Sequence, residues 1–496
     1  MYALTQKDFY KTDHRSQYPA GTTMVYSNLT PRSDRLLIKS FLWDGKIVWF
    51  GAQKFVKEFL IDEYNKTFFN LPKDKAVARY KRRLDTSLGP DAVSVDHIAA
   101  LHDLGYLPIE LKALPEGSRV NVRVPTLTIK NTLPEFFWLT NDLETVLSCE
   151  LWKMSTSATI AHEYHKLLTH YAKLTGSPLE FVQFQGHDFS MRGMSNRQDA
   201  GSTGMGHLLS FTGTDTIPAI DYVEHFYNAN AEAELIGTSV PASEHSVMCM
   251  GSKETEIETF RRLMKDVYPT GIVSIVSDTW NFWRVVTEYV TTLKEDILSR
   301  PVNALGLSKV VFRPDSGDPV KIICGDPDAD VGSPAHKGAV QCLWDVFGGT
   351  ETSTGHKLLD SHIGLIYGDS ITLERAEKIL EGLHNNGFAS ANVVFGIGSY
   401  TYQYITRDTL GFAVKATYGE INGEGVELEK DPITDNGTKK SACGLLRVEK
   451  EGNDFVLYDH QTKEQEDQGE LRTIFKDGQL LVDEDFSTIR KRLGAL

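Results

Sequence analysis

Apolar and polar positions change their period along the central part of the chain. Between residues 180 and 415, short apolar runs alternate with longer segments whose apolar residues recur at helical spacing. This alternation is typical of parallel strands joined by crossover helices. Six such units predict an irregular (β/α) barrel-like domain over residues 155–415, and an open, doubly wound α/β sheet is the alternative. The apolar runs end in Gly, Asp, Arg or Ser clusters at 185–192, 213–216, 276–278, 311–319, 368–369 and 395–399.

The two ends of the chain have a different pattern. Residues 1–154 open with helix-like segments, and 108–130 alternates apolar and polar positions with period two, as strands do. Residues 416–496 contain short strand-like runs separated by Gly, Asn and Asp, and they close with a helix at 485–493. We predict that the C-terminal segment packs with the N-terminal one to form an α+β domain.

Two helices are predicted between these regions. Residues 135–151 form an apolar helix whose aromatic side chains we expect in the core or a subunit interface. Residues 155–174 form a second helix, on which His162 and His165 have the i,i+3 spacing of metal ligands. Apart from Glu163 on another face, no nearby acid or Cys completes a ligand set, so we predict a polar helix surface there.

Composition and charge narrow the class of protein. The chain has 496 residues and a formal net charge of −15, without a long basic run, which argues against a nucleic-acid surface. Its five cysteines are scattered and form no C-x-x-C pair, as expected of a reduced chain without a zinc site. The start carries no apolar signal core, and no apolar run approaches a membrane span. We therefore expect a soluble, cytoplasmic protein.

Three short motifs point to a phosphorylated sugar. In R-P-D-S-G at 313–317, Arg313 can bind phosphate in a bidentate manner, and Asp315 can accept from ribose hydroxyls or hold Mg²⁺. A structural Arg–Asp pair at a strand end is the alternative. G-D-S at 368–370 ends one strand and opens a helix, which favours an anion. The G-I-G-S loop at 396–399 is a second such turn, and alone it is weak support.

One histidine lies in the stretch S-V-P-A-S-E-H-S at 239–246. Pro241 excludes a central strand or a helix interior, so His245 is predicted at a strand end or in a loop, beside Glu244. An exposed loop histidine by itself is more often idle than catalytic. The neighbouring phosphate-type motifs favour a role for it.

Taken together, the motifs resemble those of the nicotinate/nicotinamide phosphoribosyltransferase family (type II phosphoribosyltransferases), and in particular its nicotinamide-using members. The resemblance runs from about residue 8 to residue 490. The motifs that carry it are D-F-Y-K-T-D-H near the start, H-D-F followed by Arg192, F-T-G-T-D-T at 211–216, S-V-P-A-S-E-H-S, R-P-D-S-G-D-P, G-D-S, G-I-G, T-R-D at 406–408 and K-D-P-I-T-D at 430–435.

The resemblance implies a transferase of NAD salvage. In that family, nicotinamide attacks the anomeric carbon of phosphoribosyl pyrophosphate and gives nicotinamide mononucleotide and pyrophosphate. Phe189 matches one wall of an aromatic sandwich, and Tyr10 matches the other, supplied by the second subunit of a homodimer. Asp215 matches the acceptor of the substrate's carboxamide N–H₂, which disfavours the carboxylate of nicotinate. Arg192 and Arg313 match residues that bind pyrophosphate or the amide carbonyl.

The other matched positions concern the phosphoribosyl group and ATP. Asp315 would take the ribose hydroxyls, and Arg407 and Lys415 would reach the phosphates across the dimer. His245 matches a histidine that ATP phosphorylates, oriented by Asp278, with Glu244 as the alternative. Mg²⁺ is expected with pyrophosphate and with ATP. Further positions matched to phosphate or ribose are Gly368, Asp369, Gly398, Ser399 and Lys439.

Three departures from the family pattern concern substrate range. The glycine-rich run is G-I-G-S-Y with Ile397, Ser399 and Tyr400; the family's G-D-G is G-D-S; and D-F-Y stands where a serine is common. None removes a charge that the mechanism needs. A nicotinate phosphoribosyltransferase is the nearest alternative, and an extracellular interaction protein is an alternative of another class.

Overall fold

A computed structural model describes residues 2–429 and 442–496. Strands from both ends of the chain form one seven-stranded antiparallel sheet. The C-terminal segment thus packs with the N-terminal one through shared hydrogen bonds. In spatial order, the strands are Glu424–Glu427, Phe412–Ile421, Thr22–Pro31, Leu127–Asn131, Ile109–Ala113, Arg472–Lys476 and Gln479–Leu480.

The central region forms a six-stranded sheet in which every pair is parallel. Crossover helices separate most of its strands along the chain, and the strands' apolar residues are largely buried, as expected when helices cover a parallel sheet. The predicted irregular α/β fold is confirmed. The strands in spatial order are Gly213–Thr214, Gly186–Asp188, Val393–Ile397, Ile363–Tyr367, Ser308–Arg313 and Gly271–Val276.

The two edges of this sheet are linked by the segment that leads into the His245 stretch. Thr238 forms a parallel bridge with Gly213 at one edge, and Ala242 forms one with Ser274 at the other. Backbone bonds from Thr214 N to Thr238 O (3.0 Å) and from Ser274 N to Pro241 O (2.9 Å) accompany the bridges. The sheet therefore curls into an irregular barrel and does not stay open.

A single 32-residue helix, Glu144–Thr175, replaces the two helices predicted over 135–151 and 155–174. Polar residues within it bond to neighbouring backbone: Ser155 Oγ accepts from Phe50 N (3.0 Å) and Thr159 Oγ1 from Val48 N (2.9 Å). Where the first predicted helix was expected to begin, the chain forms two short helical turns, Pro134–Phe136 and Leu139–Asp142.

The prediction of a polar surface at the two histidines of this helix is wrong. His162 is buried and His165 is partly buried, against the core. Burial lowers the pKa of His162 to about 3 and that of His165 to about 4. Both imidazoles are therefore neutral structural groups.

The long helix and the strand Phe412–Ile421 cross the predicted domain boundaries at 154/155 and 415/416, and the division into domains stays a prediction. The helical spacing over Trp280–Leu298 predicts a helix, and residues 282–298 are helical in four successive pieces with only Leu293 outside them: Phe282–Arg284, Val285–Tyr289, Val290–Thr292 and Lys294–Leu298. The remaining longer helices are Lys73–Leu88, Asp96–Leu104, Arg197–Leu208, Ile217–Tyr227, Ala339–Phe347, Leu373–Asn385 and Phe486–Leu493.

Three two-stranded ribbons complete the fold. They pair Lys46–Val48 with Arg119–Asn121, Gly349–Glu351 with Lys357–Leu359, and Leu445–Glu451 with Asp454–Gln461. Among the described residues, none of the helices combines the length and the apolar character that crossing a membrane requires.

Candidate active site

The carboxyl ends of the parallel strands bring most of the predicted site residues together. In a parallel α/β barrel this end is where loops of successive strands face one cavity. The residues gathered there belong to seven separate stretches of the chain. They are Phe189, Arg192, Asp215, His245, Asp278, Arg313, Asp315, Gly368, Asp369, Gly398 and Ser399.

Asp215 follows the short strand Gly213–Thr214 and is fixed from two sides. Its Oδ1 accepts hydrogen bonds from His187 Nε2 (2.9 Å) and Ser239 Oγ (2.5 Å), whereas its Oδ2 has no partner among the described residues. Burial acts to raise the pKa of Asp215, but the bonds from His187 and Ser239 and the charge of Arg313 outweigh it and lower the pKa. Asp215 therefore presents an ionised carboxylate with one free acceptor oxygen.

Phe189 lies next to Asp215 and forms an apolar wall. Its ring stands edge-on to the ring of His187, with centroids 4.9 Å apart, and its N–H donates to Ile397 O at 3.0 Å. A Cβ atom added to Gly396 would overlap the Phe189 ring and lie 2.8 Å from Gly368 Cα. Glycine at 396 therefore lets the Phe189 ring lie flat against two strand ends.

Asp315 lies on the other side of Gly368. A Cβ atom on Gly368 would stand 2.9 Å from Asp315 Oδ1, so the absence of a side chain leaves that carboxylate accessible. Burial raises the pKa of Asp315; Arg313 opposes this, while the nearby carboxylates of Asp278 and Asp369 add to it. No hydrogen bond from the described residues reaches its carboxylate oxygens, in contrast with Asp215.

Asp278 connects Asp315 to His245. Its Oδ2 accepts from Asp315 N (2.9 Å) and from Ser316 Oγ (2.6 Å), and its Oδ1 lies 3.2 Å from His245 Nε2. The Asp278 side chain is 5% exposed, whereas that of His245 is 49% exposed. Nδ1 of His245 has no hydrogen-bond partner in the described chain, so this nitrogen faces outward while Asp278 holds the other.

Glu244, the alternative orienting acid, bonds elsewhere. It accepts from Ser246 Oγ and makes no bond to His245. Its backbone has extended geometry just before the short helix His245–Met250. The geometry thus pairs His245 with Asp278.

Arg313 crosses from its strand to the His245 segment. Its Nη2 donates to Ser243 O at 2.5 Å, and its backbone exchanges bonds with Ser277. Its Nε is buried without a partner. The charge of Arg313 lowers the pKa of Asp215 and opposes the raised pKa of Asp315, so the guanidinium is within electrostatic range of both carboxylates.

The glycine-rich loop borders the site on the Phe189 side. Gly398 has open space around it, since a Cβ there would meet only Phe189 O at 4.0 Å. Ser399 begins the short helix Ser399–Tyr402 and packs against Gly193, the residue after Arg192. Arg192 and Asp369 are exposed, and Arg192 has no ion pair among the described residues.

Three of the predicted residues that the structure describes lie outside this cluster. Tyr10 lies on the N-terminal turn Phe9–Asp13, is 60% exposed, and its ring contacts His14 and Lys11. Arg407 is exposed beside Asp408, and Lys415 lies on the strand Phe412–Ile421 of the antiparallel sheet. Lys439 and the motif at 430–435 lie outside the described residues.

A continuous series of contacts runs along the site. It begins at Asp215 and passes through His187, Phe189 and Gly368 to Asp315. A model of the nicotinate phosphoribosyltransferase (NAPRTase) family matches residues 184–479, which include the whole parallel sheet and the site just described. The chain belongs to the NAPRTase family. It is therefore a phosphoribosyltransferase, an enzyme that transfers a pentosyl group.

Relatives of this NAPRTase-family chain match it over almost its full length. It is 65% identical to the nicotinamide phosphoribosyltransferase of Acinetobacter baylyi over 99% of this chain and 96% of the relative. It is 35% identical to that of Mycoplasma pneumoniae over 88% of this chain and 93% of the relative. The crystal structure of nicotinate-nucleotide pyrophosphorylase from Pyrococcus furiosus has a TM-score of 0.57 at 14% identity, covering 99% of this chain and 94% of that chain, and shares the fold.

Three residues of this NAPRTase-family site were not predicted from the sequence. His187 and Ser239 hold Asp215, and both lie in stretches singled out for other reasons, H-D-F and S-V-P-A-S-E-H-S. Tyr367 was also missed, although its hydroxyl donates to Ser316 O and Gly317 O at 2.9 Å and fixes the Asp315 turn. Polar residues at strand ends are the signal that would have found them.

Proposed function

We propose that the chain is a nicotinamide phosphoribosyltransferase of NAD salvage. It would join nicotinamide to 5-phosphoribosyl 1-pyrophosphate and release nicotinamide mononucleotide and pyrophosphate. The names of its full-length relatives support this substrate pair. The geometry at Asp215 supports the choice of the amide over the acid.

The free oxygen of Asp215 carries the proposal. A carboxamide N–H₂ can donate to Oδ2 while Oδ1 keeps its bonds from His187 and Ser239. Burial acts to raise the pKa of Asp215, but the two donors lower it, so Asp215 is ionised. Nicotinate would place a second carboxylate against this charge. Juxtaposed like charges cost several kcal/mol, so the amide is favoured.

The ring that Asp215 selects would stack on Phe189. This wall suits a substrate whose pyridine nitrogen becomes cationic when the new bond to C1 of ribose forms. The C1–pyrophosphate bond breaks as this bond forms, and its electron pair leaves with pyrophosphate. Arg313, near both aspartates, is suited to stabilise that developing anion.

Asp315 and the glycine turns would hold the sugar phosphate. The carboxylate of Asp315 has no internal donor, so ribose hydroxyls can donate to it. The open space at Gly398 allows a phosphate to approach the backbone, with Gly368, Asp369 and Ser399 beside it. Binding both partners at one sheet edge holds the nucleophile in line with the leaving group.

The acidic groups at this edge fit Mg²⁺. Negative charge is concentrated at Asp278, Asp315 and Asp369. Burial is the main cause of the raised pKa of Asp315, and the two neighbouring carboxylates add to it. Hard carboxylate oxygens are the ligands Mg²⁺ uses, usually one or two together with substrate phosphates. When bound, the ion would neutralise pyrophosphate, and Asp315 and Asp369 are the residues suited to hold it.

We further propose that ATP phosphorylates His245. Asp278 would keep the proton on Nε2, leaving Nδ1 as the nucleophile toward the γ-phosphorus, with ADP as leaving group. Water would later cleave the N–P bond to give phosphate and free His245. The 49% exposure of this side chain gives ATP access. Lys439 would belong to the same nucleotide-binding region.

A cytoplasmic homodimer completes the proposal. Tyr10 is exposed on its turn and makes no contact with Phe189 in the described chain, which suits a ring that serves the site of a second copy. Arg407 and Lys415 would reach the partner's phosphate region in the same way. An apolar ring exposed at 60% is more stable when covered.

Asp215→Ala tests the substrate choice. We expect the kcat/KM for nicotinamide to fall about 10- to 100-fold, because one hydrogen bond to a charged group is lost. The preference for the amide over the acid should also decrease. Asp266→Ala, an exposed aspartate on the turn Leu263–Val267 outside the cluster, is the control and retains both values. An unchanged preference in Asp215→Ala would remove the basis for nicotinamide.

His245→Ala tests the ATP step separately. Basal transfer from phosphoribosyl pyrophosphate should persist, while ATP stimulation and acid-labile phosphate incorporation disappear. Phosphate labelling is measured with ATP labelled at the γ position. Labelling that survives in His245→Ala would assign the phosphate to another residue.

A further inference from the structure

Three side chains of different chemistry converge at residues that take no part in the candidate active site. Glu427 ends the strand Glu424–Glu427 at the edge of the antiparallel sheet. Cys443 precedes the strand Leu445–Glu451, and His460 lies near the end of Asp454–Gln461. One ligand atom from each lies within 4.8 Å of the other two, and no other such group of three was found among the described residues.

The distances within the cluster approach those of a metal centre. His460 Nδ1 lies 2.8 Å from Glu427 Oε2, and Cys443 Sγ lies 3.9 Å from the same oxygen. In a tetrahedral zinc site, bonds of about 2.0–2.3 Å put neighbouring ligand atoms roughly 3.3–3.7 Å apart. The observed pairs bracket this spacing, so shifts of about half an ångström would seat an ion.

The backbone holds the three residues in this arrangement. His460 N donates to Cys443 O at 3.0 Å, which fixes these two residues to each other. Gly444 has φ +75°, and a Cβ there would lie 2.6 Å from Glu427 Oε1 and 3.0 Å from His460 Cα. A larger residue would separate the carboxylate from the imidazole, so the close approach depends on glycine.

The surroundings favour a cation with an open coordination position. Glu429 and Asp459 add negative charge within electrostatic range of the Cys443 thiol. Cys443 is 7% exposed, while the side chains of Glu427 and His460 are 46% and 57% exposed. The thiol therefore forms the floor of the cluster, and the side opposite it faces solvent.

Within the described ranges 2–429 and 442–496, the other four cysteines have no such partners. Cys149 and Cys249 are exposed, and Cys324 and Cys342 bond to backbone carbonyls. The histidines His356 and His384 also lie close together, with Nε2 of His356 2.9 Å from Nδ1 of His384. Among the described residues, no third His, Cys, Asp or Glu joins this pair as a metal ligand. These groups serve as internal controls for the cluster.

We propose that Glu427, Cys443 and His460 form a binding site for a divalent transition metal of the zinc type. A thiolate, an imidazole and a carboxylate are ligands that zinc and cobalt accept, and three protein ligands leave the fourth position to water. On binding, the thiol proton and the Nδ1 proton pass to solvent. The ion would tie the edge of the antiparallel sheet to the ribbon formed by Leu445–Glu451 and Asp454–Gln461. This proposal does not depend on the substrate of the enzyme.

Cobalt(II) is the probe, because a cobalt–thiolate bond absorbs in the near ultraviolet and tetrahedral cobalt absorbs in the visible. The reduced, chelator-treated full chain is titrated with cobalt(II) alone. We expect both absorptions to saturate at one ion per chain and zinc to displace cobalt. Cys443→Ser should lose the near-ultraviolet band, and Cys149→Ser and His356→Gln should keep it.

Glu427→Gln keeps the test open if Cys443→Ser fails to fold. Glu427 is exposed, so this variant should fold, retain the thiolate band and bind cobalt at least about tenfold more weakly. Zinc should raise the unfolding temperature of the native chain and raise that of Glu427→Gln less. A native chain without a thiolate–cobalt band, or a band that survives in Cys443→Ser, would overturn the proposal.

Discussion

Asp215 and Asp315 stand at the carboxyl ends of two strands in the same sheet, yet their environments push their pKa values in opposite directions. Burial raises the pKa of each, and the charge of Arg313 lowers each. For Asp215, the donors His187 and Ser239 decide the outcome, and its pKa is lowered. Asp315 has no such donors and faces Asp278 and Asp369, so its pKa is raised.

This difference separates two tasks within one cleft. The Asp215 end is paired in advance and offers one acceptor oxygen to a neutral ring substituent. The Asp315 end holds uncompensated negative charge, which hydroxyl donors or a cation can relieve. The preorganised donors at Asp215 thus favour specificity for the ring substituent. The negative charge at Asp315 is stabilised only when a ligand binds there.

Asp315→Asn is expected to have the largest effect and to separate the two ends. Replacing this carboxylate by an amide should lower kcat/KM for phosphoribosyl pyrophosphate about 100-fold, roughly 2.7 kcal/mol, because the ribose hydroxyls lose their charged acceptor. The ratio of nicotinamide to nicotinate use should not change. Steady-state kinetics with each substrate varied in turn measure both quantities.

Asp318→Asn is the matched control for that change. Asp318 caps the helix Pro319–Cys324 by accepting from Val320 N (2.9 Å), and asparagine caps equally well. Its kinetics should stay within about twofold of the native enzyme. A loss of the amide-over-acid preference in Asp315→Asn would contradict the separation of tasks.

A pair of glycine substitutions gives the next largest effect. Gly396→Ala should displace the Phe189 ring and raise the KM for nicotinamide about tenfold, with a lower unfolding temperature. Gly398→Ala has room for its methyl group, so its unfolding temperature should match the native one, while the KM for phosphoribosyl pyrophosphate rises. If both variants affect only nicotinamide, Gly398 does not serve the phosphate.

The smallest expected effect is a difference in pH dependence. Because the pKa of Asp315 is raised, its carboxylate is lost at a higher pH than an ordinary aspartate, and the KM for phosphoribosyl pyrophosphate should rise first on acidification. Asp215 has a lowered pKa and stays ionised, so the KM for nicotinamide should stay constant over that range. Its ionised form also adds to the free energy of unfolding until pH falls through the lowered pKa.

Asp315→Asn controls for titration of the substrate's own phosphate. The variant should lose part of the pH dependence that the native enzyme shows for phosphoribosyl pyrophosphate. Identical pH profiles of the two proteins would mean that Asp315 does not titrate in this range.

Local sequence patterns predicted the parallel strands and most of the residues at their ends. R-P-D-S-G and G-D-S place Asp315 and Gly368 directly, because the motif and the strand end coincide. His187 was missed because its role depends on Asp215, 28 residues away along the chain. Sequence spacing alone does not reveal which strand ends become neighbours.

One error, at His162 and His165, and one alternative that the sequence left open, a barrel or an open sheet, depend on contacts that only the tertiary structure supplies. His162 and His165 look like polar surface residues, yet the long helix is packed on both sides there and burial lowers their pKa. Closure of the barrel depends on bridges made by Thr238 and Ala242, which lie in a segment with no strand-like alternation.

A direct competition between nicotinamide and nicotinate tests the central claim, that the ionised carboxylate of Asp215 selects the uncharged ring. Purified enzyme receives equal concentrations of both, with phosphoribosyl pyrophosphate, Mg²⁺ and ATP, and both mononucleotides and pyrophosphate are quantified. We expect nicotinamide mononucleotide in at least about 100-fold excess, with one pyrophosphate per product. Equal or greater formation of nicotinate mononucleotide, or no release of pyrophosphate, would contradict it.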